Sequence, residues 1–258
     1  MLTDILLGLP YPAGIVGTLL IAAAAHEFYA MAGAAGAAPF AFWGVLAAAA
    51  AFNLPWMAAQ WPCLGGSEGI LAALAIATFI GLGVRFRKSR PNALADAAVT
   101  IFGAVYIGVF GGFIVAIHTL PQGAKMVLFF VAVSKAADIG GYLTGRFFGR
   151  RKLAPSISPN KTIEGSIGGV LLSLAAAFGL RAAMPGLGFD AGWAVLFAVL
   201  VNVASQFGDL AESMIKRGCG VKDSAVILPK VCGALDLIDS ILLSAPVAYY
   251  LIRLHVPV

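Results

Sequence analysis

A polar stretch from Ser205 to Ser240 interrupts an otherwise apolar chain and carries the side chains best suited to chemistry. Its flanks, residues 193–204 and 241–252, are strongly apolar, and each is long enough with its neighbours to cross about 30 Å of hydrocarbon. Ionisable groups next to membrane spans are costly to place, so this stretch is predicted to be a functional site. Five of the 12 acidic residues of the chain lie in it, namely Asp209, Glu212, Asp223, Asp236 and Asp239.

Three of these acids are predicted to meet at one membrane surface. Asp236 and Asp239 are three residues apart and would share a helix face at the start of the last span, while Asp209 ends the preceding span. An acid in the first turn of a helix also stabilises the helix dipole, which is the simpler interpretation of the last two. Converging carboxylates instead indicate a hard divalent cation such as Mg²⁺, and nearby basic groups suit phosphate oxygens, a combination typical of phosphoryl chemistry. The basic residues of the stretch are Lys216, Arg217, Lys222 and Lys230.

Composition places the chain among polytopic membrane proteins. Of its 258 residues, 60% are hydrophobic and only 11% are charged, whereas a soluble domain is about 25% charged. We therefore expect a single membrane domain over residues 1–258, with N-terminal spans up to about residue 120 and a catalytic half from about residue 121. The three cysteines indicate neither a disulfide framework nor a zinc site. The N-terminus lacks a basic segment, so no removable signal peptide is predicted.

The fold class is predicted to be all-α, with about eight transmembrane helices and a polar site that faces the cytoplasm. Glycine and alanine are dense throughout, and such small residues let helix backbones approach closely in lipid. The predicted spans cover residues 12–32, 40–60, 68–86, 94–118, 124–145, 164–184, 190–208 and 236–254.

The basic residues predict the orientation of these spans. They cluster after the third, fifth and seventh spans in groups of 4, 5 and 4, which are 13 of the 17 Lys and Arg. Cytoplasmic loops carry the excess of Lys and Arg, so these loops are expected in the cytoplasm and the N-terminus outside the cell membrane. The groups are Arg85, Arg87, Lys88 and Arg90, then Arg146, Arg150, Arg151, Lys152 and Lys161, then Lys216, Arg217, Lys222 and Lys230.

A second polar stretch runs from Asp138 to Gly169 and begins inside the fifth span. Lys135 lies one turn before Asp138, and the two form either an ion pair within the bundle or part of a functional site. Thr162 with Glu164 has the pattern of a simple helix cap. The basic residues of this stretch are explained either by membrane orientation and attraction to anionic headgroups or by a phosphate site.

Both stretches carry motifs that resemble those of the CDP-diacylglycerol synthases, also called phosphatidate cytidylyltransferases. The resemblance covers roughly residues 130–245, and upstream it rests on hydrophobic spans alone. The motifs are Asp138 to Tyr142, Gly145-Arg146, Phe148-Gly149, Leu153-Ala-Pro155, Ser158-Pro159-x-Lys161-Thr162-x-Glu164-Gly165, Gln206-Phe-Gly208-Asp209-Leu, Ser213-Met-Ile-Lys216-Arg217, Lys222-Asp223, Pro229 and Asp236-Leu-Ile-Asp239-Ser240.

The resemblance implies an integral membrane enzyme that transfers CMP from CTP to phosphatidate, giving CDP-diacylglycerol and pyrophosphate. It implies a homodimer in the bilayer, no nucleic-acid partner, and Mg²⁺ as cofactor, with a second monovalent or divalent cation left open. By motif position, Asp209, Asp236 and Asp239 would be both metal ligands and catalytic residues. The other catalytic residues would be Lys216 and Arg217, and the substrate-binding residues would be Asp138, Lys161, Thr162, Glu164, Ser213, Lys222 and Asp223.

The chain departs from the family pattern around the last aspartates. The family reads Pro-Gly-His-Gly-Gly and then Asp-Arg-x-Asp, where this chain has Pro229-Lys-Val-Cys-Gly233 and Asp236-Leu-Ile-Asp239. The missing glycines would let backbone approach phosphates, and the missing arginine would bind one, so we expect a slow or acceptor-shifted enzyme. Three alternatives stay open: transfer to another lipid phosphate, a non-catalytic paralogue that binds CTP or anionic lipid, and a transporter. The last is disfavoured because transporter sites are expected near the midplane.

Overall fold

The computed structural model describes residues 10–60, 92–222, 224 and 233–255. Helices dominate this part of the chain, and a π-helical stretch, Ala104–Val109, joins the third helix to the fourth without a break. A short 3₁₀ turn, Pro185–Leu187, and two short strands, β1 (Lys152–Ala154) and β2 (Ser158–Thr162), complete the elements. The helices are α1 (Pro10–Ala34), α2 (Ala41–Gln60), α3 (Ala93–Gly103), α4 (Phe110–His118), α5 (Gly123–Phe148), α6 (Ile163–Ala183), α7 (Ala191–Gly218) and α8 (Ala234–His255).

Seven of the eight predicted spans coincide with helices that are long and apolar enough to cross a membrane. The predicted span at 68–86 lies outside the described residues, so the total of eight stays a prediction. The prediction of an all-α, polytopic membrane protein is confirmed. One boundary differs, because the predicted span 190–208 continues as helix to Gly218. Lys216 and Arg217 stand in the last turn of α7, where positive charge favours the helix dipole.

A β-hairpin lies within the second polar stretch, for which the sequence analysis predicted no strand. Strands β1 and β2 are antiparallel, with Lys152 opposite Thr162. Glu164, in the first turn of α6, holds the hairpin in place: its carboxylate accepts the backbone N–H groups of Arg150 at 3.0 Å and Arg151 at 3.1 Å. The hairpin is thus attached to the start of a membrane helix by a side chain that lies after it in the sequence.

The chain divides into two compact units, of which the first comprises Met1–Thr119 and Gly218–Leu237. In it, α1 packs against α2, and α2 packs against the π-helical stretch and α4. The Tyr29 hydroxyl donates a hydrogen bond to the carbonyl of Thr100 at 2.7 Å. The buried Asp96 carboxylate accepts the backbone N–H of Ala38 at 2.7 Å, which secures the loop between α1 and α2.

The second unit comprises Leu120–Arg217 and Ile238–Val258, and it is built on the close packing of α5 along α6. Small residues make this packing possible. A Cβ at Gly140 would lie 2.6 Å from the carbonyl oxygen of Gly168, and one at Gly169 would lie 2.9 Å from that of Ala137. Close backbone contact of this kind holds helices together in lipid, where apolar burial gives little drive.

Candidate active site

Three carboxylates meet in the second unit where α7 packs on α8. Asp209 and Glu212 are three residues apart on α7 and therefore share a helix face. With Asp239 of α8 they form a group in which one carboxylate oxygen from each residue lies within 4.8 Å of the others. The Glu212 side chain is only 1% exposed and Asp239 only 8% exposed. We call these three residues the acidic cluster.

A glycine allows α7 and α8 to come close enough to form the acidic cluster. Gly208 precedes Asp209, and a Cβ at this position would lie 2.6 Å from the carbonyl oxygen of Asp239. Real Cβ atoms do not approach so closely, so any larger residue would push the two helices apart. The family-like motif Gly208-Asp209 therefore has a direct physical reason.

Two lysines compensate part of the negative charge of the acidic cluster. Lys161, at the end of β2, places its ammonium 2.5 Å from the Asp209 carboxylate. Lys216 lies one turn after Glu212 and its ammonium is 2.8 Å from that carboxylate. Like charges this close repel one another, and a bound cation would remove that repulsion. Three converging carboxylate oxygens are the hard ligands that a divalent cation such as Mg²⁺ prefers, so the donor set fits a metal ion.

A second polar network adjoins the acidic cluster. Asp138 of α5 accepts hydrogen bonds from the Lys135 ammonium at 3.0 Å and from the Ser240 hydroxyl at 2.9 Å. Ser205 of α7 donates to the same carboxylate at 3.5 Å. The ion pair between Lys135 and Asp138, one of the two sequence interpretations, is thus confirmed. Ser240 directly follows Asp239, so this network ties α5 to the part of α8 that carries the acidic cluster.

A cavity of about 540 Å³ opens beside the acidic cluster. Two charged residues at its wall, Lys161 and Asp209, form the ion pair described above. Four glycines, at 141, 145, 165 and 169, line it on the side of α5 and α6, so this wall is mainly backbone. The remaining lining residues are Ala137, Asp138, Tyr142, Arg146, Ser158, Asn160, Thr162, Ser166 and Gln206. A cavity with the cations Lys161 and Arg146 and the carboxylates Asp138 and Asp209 at its wall suits a phosphate-bearing substrate.

Four predicted substrate-binding or catalytic residues line this cavity, and their contacts differ. Asp138, Lys161 and Asp209 present charged groups, whereas the Thr162 hydroxyl accepts the backbone N–H of Gly165 at 3.1 Å and caps α6. The interpretation of Thr162 as a helix cap is therefore confirmed. Glu164 is not among the lining residues, and its carboxylate binds the backbone of the hairpin.

The other predicted site residues lie at the ends of α7 and α8. Ser213, half-buried, and Lys216 follow Glu212 on α7, and Arg217 is exposed in the last turn. Lys222 is exposed beyond that helix, and Asp223 lies outside the described residues. Asp236 is half-buried in the first turn of α8, in the part of the helix that belongs to the first unit. Its role as a metal ligand therefore stays a prediction.

Glu212 is the member of the acidic cluster to which sequence analysis assigned no role. Its spacing of three residues from Asp209 was a usable signal, because it places both acids on one helix face. The predicted end of the span at residue 208 concealed that signal, since α7 in fact continues through Glu212. Gln206, which also lines the cavity, was part of a motif without a role of its own, and Arg146 was one of the basic residues assigned either to membrane orientation or to a phosphate site.

Known proteins resemble this chain over most of its length. The model of a family described as the cytidylyltransferase family matches residues 2–255. The phosphatidate cytidylyltransferase of Staphylococcus epidermidis is 34% identical over 193 residues, which are 75% of this chain and 72% of the relative. That of Bacillus subtilis is 40% identical over 154 residues, 58% of this chain and 56% of the relative. The uncharacterized protein YnbB of Escherichia coli is 42% identical over 134 residues, 52% of this chain and 44% of the relative.

The match to the family model extends across both compact units and includes the motifs that build the acidic cluster and the cavity. Its apolar helices and its bacterial relatives make the protein a multi-pass protein of the cell membrane. With a family model that matches almost the whole chain and a relative that is 34% identical over most of both chains, the protein belongs to the cytidylyltransferase family.

Proposed function

We propose that the protein transfers CMP from CTP to phosphatidate, producing CDP-diacylglycerol and pyrophosphate. The observation that carries the proposal is the acidic cluster, of which Asp209 lines the adjoining cavity, in a chain that belongs to the cytidylyltransferase family. Carboxylates for a metal and lysines for phosphate oxygens are the combination that nucleotidyl transfer requires.

The metal in this proposal is Mg²⁺, held by Asp209, Glu212 and Asp239. When bound, it would neutralise the negative charge of the nucleotide phosphates. The resemblance adds Asp236 as a further ligand, and a second monovalent or divalent cation is left open. The motifs did not imply Glu212 as a ligand, and it is added here because of its position beside Asp209 and Asp239.

The remaining residues bind and orient the two substrates. Lys161, at the cavity wall, is proposed to bind nucleotide phosphate, and Lys216 to hold the Glu212 carboxylate by their ion pair. Arg217 and Lys222 are exposed and are proposed to attract the triphosphate or the lipid phosphate. Asp138 holds Lys135 and Ser240 and so supports the shape of the cavity.

The transfer itself is a single in-line displacement. A phosphate oxygen of phosphatidate attacks the α-phosphorus of CTP, the bond from that phosphorus to the bridging oxygen breaks, and pyrophosphate leaves with the electron pair. This step needs no covalent enzyme intermediate. The work of the protein is therefore to bring two anionic substrates together in line, which positioning and charge neutralisation achieve.

The proposed orientation places the cavity and the basic loops in the cytoplasm, where CTP is available. Cysteines introduced at Lys88 and Lys222, in a chain whose native cysteines are replaced by serine, should resist an impermeant thiol reagent added to intact cells. Labelling of either position from outside would overturn the orientation.

A homodimer is also proposed, on the resemblance alone, and the mass of the detergent-solubilised protein tests it.

The function is tested by incubating the purified protein with CTP and phosphatidate in mixed micelles. Pyrophosphate release and a CDP-lipid product should appear with Mg²⁺ and disappear when it is chelated. Asp209→Asn serves as the inactive control. If product forms only with a different lipid phosphate, that lipid and not phosphatidate is the acceptor. The presence of Leu237 where the family has arginine favours this alternative. CTP binding without pyrophosphate release on any phospholipid would refute the proposal and favour a non-catalytic paralogue.

A further inference from the structure

Glu27 is a buried acid in the middle of α1, outside the acidic cluster. Its side chain is 2% exposed, on a helix that is apolar enough to cross a membrane. A carboxylate in such a place is costly unless it is paired or hydrogen-bonded. Glu27 accepts the backbone N–H of Leu235 at 3.0 Å and the hydroxyl of Ser224 at 3.4 Å. All three residues belong to the first compact unit.

The bond to Leu235 caps the start of α8. Gly233 precedes the helix, and its carbonyl accepts the backbone N–H of Leu237 at 3.1 Å, the first bond of the helical ladder. The first N–H groups of any helix lack partners within it, and a side chain at the position before the helix usually supplies one. Glycine has no such side chain. Glu27 supplies the acceptor from another helix, 208 positions earlier in the chain.

The capped turn carries Asp236, which the family resemblance implies as a further metal ligand. Asp236 follows Leu235 directly, and Asp239 lies one turn later on the same helix. A helix turns by about 100° per residue, so a slip of its first turn by one residue would move each side chain to a different face. Fixing the Leu235 nitrogen against α1 therefore fixes both the rotation and the axial position of the start of α8.

We propose that Glu27 is a positioning residue for nucleotidyl transfer, which fixes the rotation of the first turn of α8 and so the direction in which that turn presents Asp236. This role in catalysis rests on the proposed function, whereas the observation behind it is the hydrogen bonding of Glu27. Misplacement of a reactive group by about 1 Å costs on the order of a hundredfold in rate, so a cap that prevents it has a measurable effect.

The experiment compares variants of Glu27 with a matched buried acid in the same unit. Glu27→Gln keeps an acceptor oxygen at the same reach, Glu27→Asp shortens the side chain, and Glu27→Ala removes the acceptor. Asp96→Ala is the control, because Asp96 is also buried and also accepts a backbone N–H, that of Ala38, away from α8. Three quantities are measured on the detergent-solubilised full chain: Mn²⁺ affinity, amide hydrogen exchange of peptides from 233–242, and kcat with its Mg²⁺ dependence.

Glu27→Asp and Glu27→Ala should weaken Mn²⁺ binding and raise the half-saturating Mg²⁺ concentration by about tenfold each, with faster exchange at the start of α8. Glu27→Gln should stay within about threefold of the native protein because it retains the acceptor. Asp96→Ala should lower the melting temperature without changing metal affinity. If the alanine variant does not fold, the aspartate variant decides by the same readouts.

Two results would overturn the inference: unchanged Mn²⁺ affinity and unchanged exchange at 233–242 in folded Glu27→Asp, or an equal loss of metal affinity in Asp96→Ala. Exchange and Mn²⁺ binding need no turnover. A native protein that binds Mn²⁺ but transfers no CMP would therefore count against the proposed function, while the Glu27 variants still decide the positioning role.

Discussion

The buried acids of the two compact units are compensated in different ways. In the first unit, Glu27 and Asp96 each accept a backbone N–H, at 3.0 Å and 2.7 Å, which completes the hydrogen bonding of a helix start or a loop. In the second unit, Asp209, Glu212 and Asp239 face one another, with lysines against two of them. An acid that accepts a backbone N–H stabilises the fold, whereas carboxylates that face one another favour the binding of a cation.

This difference matters because burial alone does not distinguish the two kinds of site. Glu27 is 2% exposed and Glu212 is 1% exposed, so both would be judged equally buried. Carboxylates within a few ångströms of one another raise the cost of ionisation, and a bound metal removes that cost. The predictions that follow test whether the acidic cluster differs from the backbone-bound acids in this respect.

The largest effect is expected from removing charge in the acidic cluster. Asp209→Asn and Glu212→Gln keep the shape of each side chain but remove a metal ligand, so each should lower kcat by about a thousandfold at every Mg²⁺ concentration. The decrease in kcat is measured as the rate of CMP transfer to phosphatidate. Asp239→Asn and Asp236→Asn extend the test along α8, and Asp236 is the ligand that rests on the resemblance alone.

The matched control for these variants is Glu164→Gln. Glu164 binds the backbone of the hairpin and does not line the cavity, so its loss should reduce stability while Mg²⁺ dependence stays as in the native protein. Near-normal turnover of Asp209→Asn would contradict the shared-metal account, whatever the result at Glu164.

The sequence predicted the spans well, because apolar length is a local property that seven described helices share. It also predicted that acids and lysines around Asp209 form a site. It missed the hairpin, because the bonds from Glu164 to the backbone of Arg150 and Arg151 pair residues that no local propensity connects. It missed Glu212 because the helix boundary was set at 208, where apolar residues end, although the polar end of α7 remains helical to Gly218.

A smaller effect is expected from separating the helices that form the acidic cluster. A Cβ at Gly208 would lie 2.6 Å from the Asp239 carbonyl, so Gly208→Ala should move Asp209 away from Asp239 and lower kcat by about ten- to a hundredfold. Gly179→Ala, on the exposed side of α6 where a Cβ meets nothing within 4 Å, is the control. Equal activity of the two variants would show that close packing at Gly208 does not set the geometry of the site.

The lysine at the cavity wall should affect substrate affinity more than turnover. Lys161→Met removes the charge opposite Asp209 and a proposed phosphate contact, a charge-assisted bond of about 1.5–3 kcal/mol. The KM for CTP should therefore rise by about ten- to a hundredfold, and Lys161→Arg should recover part of the loss. A KM that does not change in the methionine variant would remove Lys161 from the nucleotide site.

The smallest expected effect is a gain. Leu237 is 53% exposed at the start of α8, where the family pattern has arginine. Leu237→Arg should offer a bidentate grip on phosphate and raise kcat/KM for CTP with phosphatidate by up to about tenfold. Combining it with Lys230→Gly, Val231→His and Cys232→Gly restores the whole family run. No gain in either variant would show that the departures do not limit this enzyme.

The central claim is that the acidic cluster, and not buried acid in general, holds the metal. Equilibrium Mn²⁺ binding to the detergent-solubilised protein, followed by electron paramagnetic resonance, tests it directly by comparing Asp209→Asn with Asp96→Asn. The native protein and Asp96→Asn should bind Mn²⁺ with equal affinity, and Asp209→Asn should lose at least about a hundredfold, as expected for the loss of a carboxylate ligand. Native-like Mn²⁺ binding by Asp209→Asn, or a comparable loss in Asp96→Asn, would contradict the account.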